Sequence, residues 1–141
     1  MLKKTIKYED FDGILREEDF YFNLTKSELT EWQLSQDGGL DNMLQRIVKE
    51  KRVPEIIKYI KGFILKAYGE KSEDGKRFMK SEEISHNFYC SAAYNELFMD
   101  VVASPESAMT FINGLLPEDV RKQIAEQQAN AAQVETPNAE N

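Results

Sequence analysis

The fold is decided by residues 53–83, which read VPEIIKYIKGFILKAYGEKSEDGKRFMKSEE. Apolar residues recur here at steps of one, three and four, which predicts a helix that buries one broad stripe. These residues are Ile56, Ile57, Ile60, Phe63, Ile64, Ala67 and Tyr68. Gly69 is expected to end this helix in a left-handed conformation. The charged segment from Glu70 to Lys80 follows as a loop, in which Ser72-Glu73-Asp74-Gly75 indicates a turn.

The N-terminal residues have the alternating pattern of β-strands. Lys3 to Asp10 alternates between apolar and polar residues, Asp12-Gly13 is a turn signal, and Asp19 to Leu24 alternates again. We therefore predict a β-hairpin over residues 3–24. Because two isolated strands are marginally stable in water, its aromatic side must pack on the helices or pair with another copy. That side carries Tyr8, Phe20 and Phe22.

Helices are predicted on both sides of the central one. Thr25-Lys26-Ser27-Glu28 has the form of a capping box and begins a helix with Leu29, Trp32 and Leu34. Asp37-Gly38-Gly39 breaks that helix, and a second apolar stripe runs from Leu40 to Val48. On the other side, Ser81 and Ser104-Pro105 are helix-start signals. They precede stripes at helical spacing that comprise Tyr94, Leu97, Phe98, Val101 and Val102, then Ala108, Phe111, Ile112, Leu115 and Leu116.

These segments predict a mainly α protein. Pro117 opens a last, weaker helix through Val120 and Ile124. We expect one domain over residues 1–127, a compact bundle of about six helices with a short N-terminal hairpin. Residues 128–141 consist of polar residues, alanine, one valine and a proline, which cannot bury enough apolar surface to become ordered. They are expected to form a flexible tail.

The bulk composition excludes several classes of protein. The chain has 141 residues and a formal net charge of −7, which argues against a general nucleic-acid binder because the phosphate backbone would repel it. Cys90 is the only cysteine, so no intramolecular disulfide can form. We see neither a signal peptide nor a membrane-spanning run. The expected location is therefore a reducing cytoplasm.

The charge is distributed unevenly. Residues 49–80 contain ten Lys or Arg against five Asp or Glu, although the whole chain is acidic. A solvated helix face and loop is the simpler interpretation. The alternative is a docking band for an acidic partner or for acidic segments of this same protein. The candidate partner-binding residues in this band are Lys58, Lys61, Lys66, Lys76 and Arg77.

His86 and Cys90 are the one pair with the spacing of a reactive or metal-binding site. Four residues apart on a helix, they would share a face. Two ligands do not make a metal site, and nothing in the sequence supplies an orienting third group for a nucleophile. A half-buried helix face is the simpler interpretation of this pair. We predict no cofactor, no metal and no enzymatic activity.

Six phrases of the chain together resemble a known family. They are TIKYEDFDG, REEDFYFNLTKSEL, GGLDNMLQRIV, ILKAYGEKSEDGKRFMKSEE, YNELFMD and FINGLLP, in this order and spacing. They are similar to the tail assembly chaperones of long-tailed, non-contractile phages and prophages of Gram-positive bacteria. The similarity extends over roughly residues 5 to 117.

The resemblance implies a function that the composition does not. Members of this family bind the long, helix-rich tape measure protein before the tail tube forms, and are absent from the finished virion. In many such phages a frameshift makes a longer form that binds the tail tube protein. The resemblance does not identify the contact residues. From the charge pattern we expect the five candidate basic residues to orient the partner, while an uncovered apolar stripe supplies the affinity for it. A further expected partner is a second copy of this chain, in a homo-oligomer. The alternative is a non-enzymatic structural or regulatory module, such as a connector or an acidic inhibitor.

Overall fold

The computed structural model describes residues 1–35 and 53–122. The elements in chain order are β1 (Leu2–Glu9), β2 (Leu15–Phe22), α1 (Lys26–Ser35), α2 (Val53–Ala67), β3 (Tyr68–Lys71), β4 (Phe78–Met79), α3 (Glu82–Tyr89), α4 (Ala92–Val101) and α5 (Pro105–Leu115). The backbone is helical again over residues 118–122. No helix within these two ranges is both long enough and apolar enough to cross a bilayer.

The predicted N-terminal hairpin is confirmed. β1 and β2 pair antiparallel over their full length, from Leu2 opposite Phe22 to Glu9 opposite Leu15. The turn signal is also correct, since Gly13 has a φ of +79° that favours glycine. The second strand begins at Leu15 rather than Asp19, because pairing with β1 extends it through residues that lack alternation.

The prediction of a mainly α bundle is wrong. The chain forms a four-stranded antiparallel sheet in the order β1-β2-β3-β4, and helices pack against it. The first missed strand begins at Tyr68 and Gly69, which were expected at the end of the central helix, and both strands extend into the segment from Glu70 to Lys80 that was expected to be a charged loop. There, Glu70 pairs with Met79 and Lys71 with Phe78 around a turn in which Gly75 has a φ of +73°. Strands this short and charged give no alternating signal, so only their pairing defines them.

The prediction for Gly69 is also wrong. In the described residues, glycines with positive φ are Gly13 and Gly75, so Gly69 is not left-handed. Helix α2 instead continues directly into β3, where Gly69 is buried opposite Tyr21. A Cβ atom there would lie 2.6 Å from the Phe78 ring and 2.8 Å from the carbonyl oxygen of Met79. Close approach of β4, rather than backbone conformation, therefore requires glycine.

Aromatic side chains join the sheet to the helices. Phe22 is completely buried, and its ring packs edge-on against Phe88 of α3 and Phe111 of α5, with centroid distances of 5.7 and 5.5 Å. Tyr68 stacks on Phe88 at 4.1 Å. The predicted stripes supply most of the remaining core, including Ile60, Phe63, Ile64, Leu97, Val101, Ile112 and Leu115. The aromatic side of the hairpin thus packs on the helices.

Most helix starts follow the predicted caps. The capping box is reciprocal: the Glu28 N–H donates to Thr25 Oγ1 at 3.1 Å, and the Thr25 N–H donates to Glu28 Oε1 at 3.0 Å. Ser81 and Ser104 cap α3 and α5. One start was missed, because Ser91 accepts from the Tyr94 N–H and separates α3 from α4.

Two predicted segments lie outside the described residues. They are the apolar stripe from Leu40 to Val48 and the flexible tail over residues 128–141. The predicted helix break at Asp37-Gly38-Gly39 and the predicted end of the last helix at Ile124 lie outside the described residues as well. The structure also leaves undescribed the side chains of residues 33–35 at the end of α1 and of residues 53–56 at the start of α2.

Candidate partner-binding surface

An open groove of about 840 Å³ runs between α2 and α3. Its apolar lining consists of Leu65, Tyr68 and Tyr89, from three different elements. Charged side chains border this strip, with Lys61, Lys66 and Lys80 opposed by Glu28, Glu82 and Glu83. A surface of this kind, with apolar residues between charged borders, suits an amphipathic segment of a partner protein.

Two of the five predicted basic residues line this groove. Lys61 places its Nζ atom 4.4 Å from the ring centroid of Tyr89, and Lys66 places its own 5.2 Å from that of Trp32. Both distances are within the range of cation–π attraction. Attraction to the Tyr89 and Trp32 rings therefore favours positions of the two ammonium groups at the groove.

The other three predicted residues lie outside the groove. Lys58 is exposed on α2, one turn before Lys61. Lys76 and Arg77 are exposed at the β3–β4 turn, where their backbone N–H groups donate to Asp74 Oδ1 and Ser72 Oγ, each at 3.0 Å. The predicted band is therefore divided between the groove and a separate turn.

Lys80 is the groove residue that connects the most distant parts of the chain. Its Nζ atom donates to the carbonyl oxygen of Asn23 and to Glu28 Oε2, both at 2.6 Å. These contacts attach the segment before α3 to the end of β2 and the start of α1. Sequence reasoning assigned Lys80 no role, since its partners lie 52 and 57 residues away.

The ionisation of Glu28 reflects these contacts. Burial alone would raise the pKa of this carboxyl, but hydrogen bonds from Lys80 and from the Thr25 N–H, together with the Lys80 charge, hold it below its ordinary value of 4.5. Because the pKa is lower in the folded chain than in the unfolded one, the ionised carboxylate stabilises the fold. That stabilisation is complete above the unfolded pKa and disappears as the pH falls through the folded value.

We predict that Glu28→Gln lowers the free energy of unfolding at pH 7 by about 1 kcal/mol, because the hydrogen bond to Lys80 loses its charge. Glutamine can preserve the capping box, so the comparison isolates the ion pair. Urea denaturation from pH 7 down to about pH 3 should show the difference between the two proteins shrinking below pH 4.5. A difference that is unchanged in acid would contradict this account.

His86 lies on α3 and lines the groove, while Cys90 ends that helix and is not part of the groove lining. Cys90 Sγ is 3.5 Å from His86 Nε2, and both side chains are exposed. Within residues 1–35 and 53–122, no group of three or more His, Cys, Asp or Glu side chains could hold a metal ion. The exposure of both residues also differs from the half-buried helix face expected from the sequence.

Comparison with known proteins identifies the family. A family model described as "Phage tail assembly chaperone" matches residues 1–141, and this confirms the resemblance to tail assembly chaperones that was found in the sequence. No curated protein and no solved structure matches the chain. The match over the full length shows that this chain belongs to the phage tail assembly chaperone family.

Proposed function

We propose that this protein binds the tape measure protein of a phage with a long, non-contractile tail. It keeps the tape measure protein in solution in the cytoplasm of a Gram-positive host until the tail tube polymerises, and it is absent from the mature virion. Family membership supports a role in tail assembly. The identity of the partner and the timing of release belong to the proposal.

The observation that supports binding is the groove between α2 and α3. Tape measure proteins are rich in helices with apolar stripes, and a helix can place such a stripe along Leu65, Tyr68 and Tyr89. A chaperone that works without enzymatic chemistry acts by mass action: it binds the partner in solution and is displaced when tube subunits bind more favourably.

The basic residues have different roles in this proposal. Lys61 and Lys66 contact the partner helix directly at the borders of the groove, because aromatic rings already position them. Lys58, Lys76 and Arg77 are exposed elsewhere and act on the rate and orientation of encounter. Binding of the tail tube protein through a frameshifted longer form, and assembly with further copies, are additional partners that the family role suggests.

Co-expression with the tape measure protein tests the proposal. We expect the tape measure protein to be mostly soluble with the wild-type chain and mostly insoluble without it. The Lys61→Glu, Lys66→Glu double variant should weaken the complex by about tenfold or more, because two favourable charges become repulsive. Arg121→Glu, Lys122→Glu is the matched control, since it changes the net charge by the same amount at two exposed residues that do not line the groove.

Two results would decide against the proposal. If the tape measure protein is equally soluble with and without this chain, the chaperone function is wrong. If mass spectrometry finds this chain in purified mature virions, the alternative of a structural connector is favoured.

A further inference from the structure

Among the described residues, no strand pairs with the outer edge of β2 along most of its length. β3 pairs with β2 only at Tyr21 and Phe22, so Leu15 to Asp19 have β1 as their one strand partner in the part of the chain that the structure describes. All five of these residues are exposed. An exposed strand edge of this length is a template for another strand. We call residues 9–19 the hairpin arm.

The turn determines which backbone groups face outward along this edge. The Gly13 N–H donates to the Asp10 carbonyl oxygen at 3.0 Å, and the Asp10 N–H donates to that of Ile14 at 2.9 Å. Asp10 and Ile14 are therefore a hydrogen-bonded pair. Along an antiparallel ladder, such pairs alternate with pairs whose N–H and C=O groups point away from each other. Leu15, Glu17 and Asp19 therefore direct their N–H and C=O groups away from β1, where an added strand would meet them.

Three large apolar side chains extend the open edge at the tip of the arm. Phe11, Ile14 and Leu15 are 84%, 51% and 82% exposed. The described residues contain seven large apolar side chains that are exposed, and these three lie within five positions of one another. Single exposed apolar residues are normal on a protein surface, whereas a concentration of this kind indicates an interaction site.

Hydrogen bonds constrain the backbone of the tip although its side chains are exposed. Asp10 Oδ1 accepts hydrogen bonds from the N–H groups of Asp12 and Ile14, each at 2.9 Å. Arg16 Nε lies 2.5 Å from Asp10 Oδ2, and its hydrogen bond holds the pKa of Asp10 below the ordinary value. A partner that binds this tip therefore pays little entropy for ordering it.

The charge of the arm selects its partner. Residues 9–19 contain six acidic side chains and one arginine, which gives a net charge of −5. A second copy that paired through the same edge would bring Glu17, Glu18 and Asp19 against the same three carboxylates, which is unfavourable. A segment with Lys or Arg among its apolar residues would instead gain both attraction and burial.

We infer that the hairpin arm binds an extended, basic and apolar segment of a tail protein as an added strand along the β2 edge. The main-chain groups of Leu15, Glu17 and Asp19 supply the pairing, while the apolar tip supplies contact area. This inference rests on the proposed function for the nature of the partner. It adds a second surface, distinct from the groove, and a different mode of recognition.

Two variants of the full-length chain test this inference. Glu17→Pro removes an outward N–H donor without removing a hydrogen bond to β1, since proline is tolerated at strand edges. Glu17→Ala is the matched control, because it removes the same charge and keeps the N–H. Phe11→Ser combined with Leu15→Ser removes the apolar tip. The probes are overlapping synthetic peptides that cover the tape measure and tail tube proteins.

We expect the wild-type chain to capture peptides in which apolar residues alternate with Lys or Arg. Glu17→Pro and the double serine variant should weaken capture by about tenfold, because pairing or contact area is lost. Glu17→Ala should change it by about twofold. Thermal unfolding verifies that each variant is folded. If the Glu17→Pro protein does not fold, the capture of peptides by the double serine variant tests the inference instead.

Three outcomes would overturn the inference. One is wild-type capture of no such peptide, and another is undiminished capture by both the folded Glu17→Pro and double serine variants. The third is a homo-oligomer that dissociates in these variants, in analytical ultracentrifugation, while peptide capture is unchanged; the occupant would then be a second copy. Solubility of the tape measure protein on co-expression is a separate readout, so failure of the proposed function can be recognised independently.

Discussion

Replacement of Phe22 by alanine is expected to lower the free energy of unfolding by about 3–5 kcal/mol. The Phe22 ring is fully buried and lies between the sheet and two helices, with centroids of Tyr68, Phe88 and Phe111 between 5.5 and 5.7 Å away. Its removal leaves a cavity at the junction where β2 meets α3 and α5. Urea denaturation, monitored by circular dichroism, measures the change.

Phe11→Ala is the control for this substitution. Phe11 belongs to the same hairpin and loses the same atoms, but its side chain is 84% exposed. We expect it to change the free energy of unfolding by less than about 0.5 kcal/mol. Equal effects of the two substitutions would show that Phe22 is not part of the core in solution.

Gly69→Ala is expected to destabilise the fold by about 1–3 kcal/mol, as overpacking of a filled site does. The new Cβ would lie 2.8 Å from the backbone oxygen of Met79, and this atom cannot move without separating β4 from β3. Loss of amide hydrogen-exchange protection should therefore be greatest in residues 68–79.

Gly62→Ala is the matched control for Gly69→Ala. Gly62 lies inside α2, and a Cβ atom there would meet Trp32 at 3.9 Å, an ordinary van der Waals distance. Alanine is a better helix former than glycine by about 1 kcal/mol. We expect stabilisation, opposite in sign to the effect at Gly69. Stabilisation by both substitutions would disprove the close approach of β4.

Local signals in the sequence predicted much of the secondary structure. The capping box at Thr25 and Glu28, the caps at Ser81 and Ser104, and the turns at Gly13 and Gly75 each act within a few residues. Helical stripes could be identified because their period reflects one buried face. The same reasoning missed Ser91, because apolar residues on both sides of it suggested continuity.

The sheet could not be predicted because long-range pairing creates it. Tyr68 and Gly69 become strand residues only because they lie beside Phe22 and Tyr21, more than forty positions earlier. Gly69 in particular follows a helix, where a left-handed glycine is the ordinary expectation. The backbone continues into β3 instead, and the need for glycine comes from Phe78 and Met79 across the sheet.

Only some of the residues that line the groove could be predicted, because the groove also depends on the packing of elements that are distant in sequence. Lys61 and Lys66 share a helix, so the predicted basic band included two residues that line one groove. Lys76 and Arg77 are close to them in sequence, yet β3 carries the turn outside the groove. Lys80 and Tyr89 became groove residues through the packing of α3 on α2, which no local pattern encodes.

We propose that this chain keeps a tape measure protein in solution by binding it. The most direct measurement is light scattering by tape measure protein diluted from urea into buffer with increasing amounts of the purified chain. We predict that scattering falls to a low plateau as the wild-type chain saturates the tape measure protein, and that Lys61→Glu, Lys66→Glu requires about tenfold more protein. Scattering that does not depend on the amount of wild-type chain would contradict the claim.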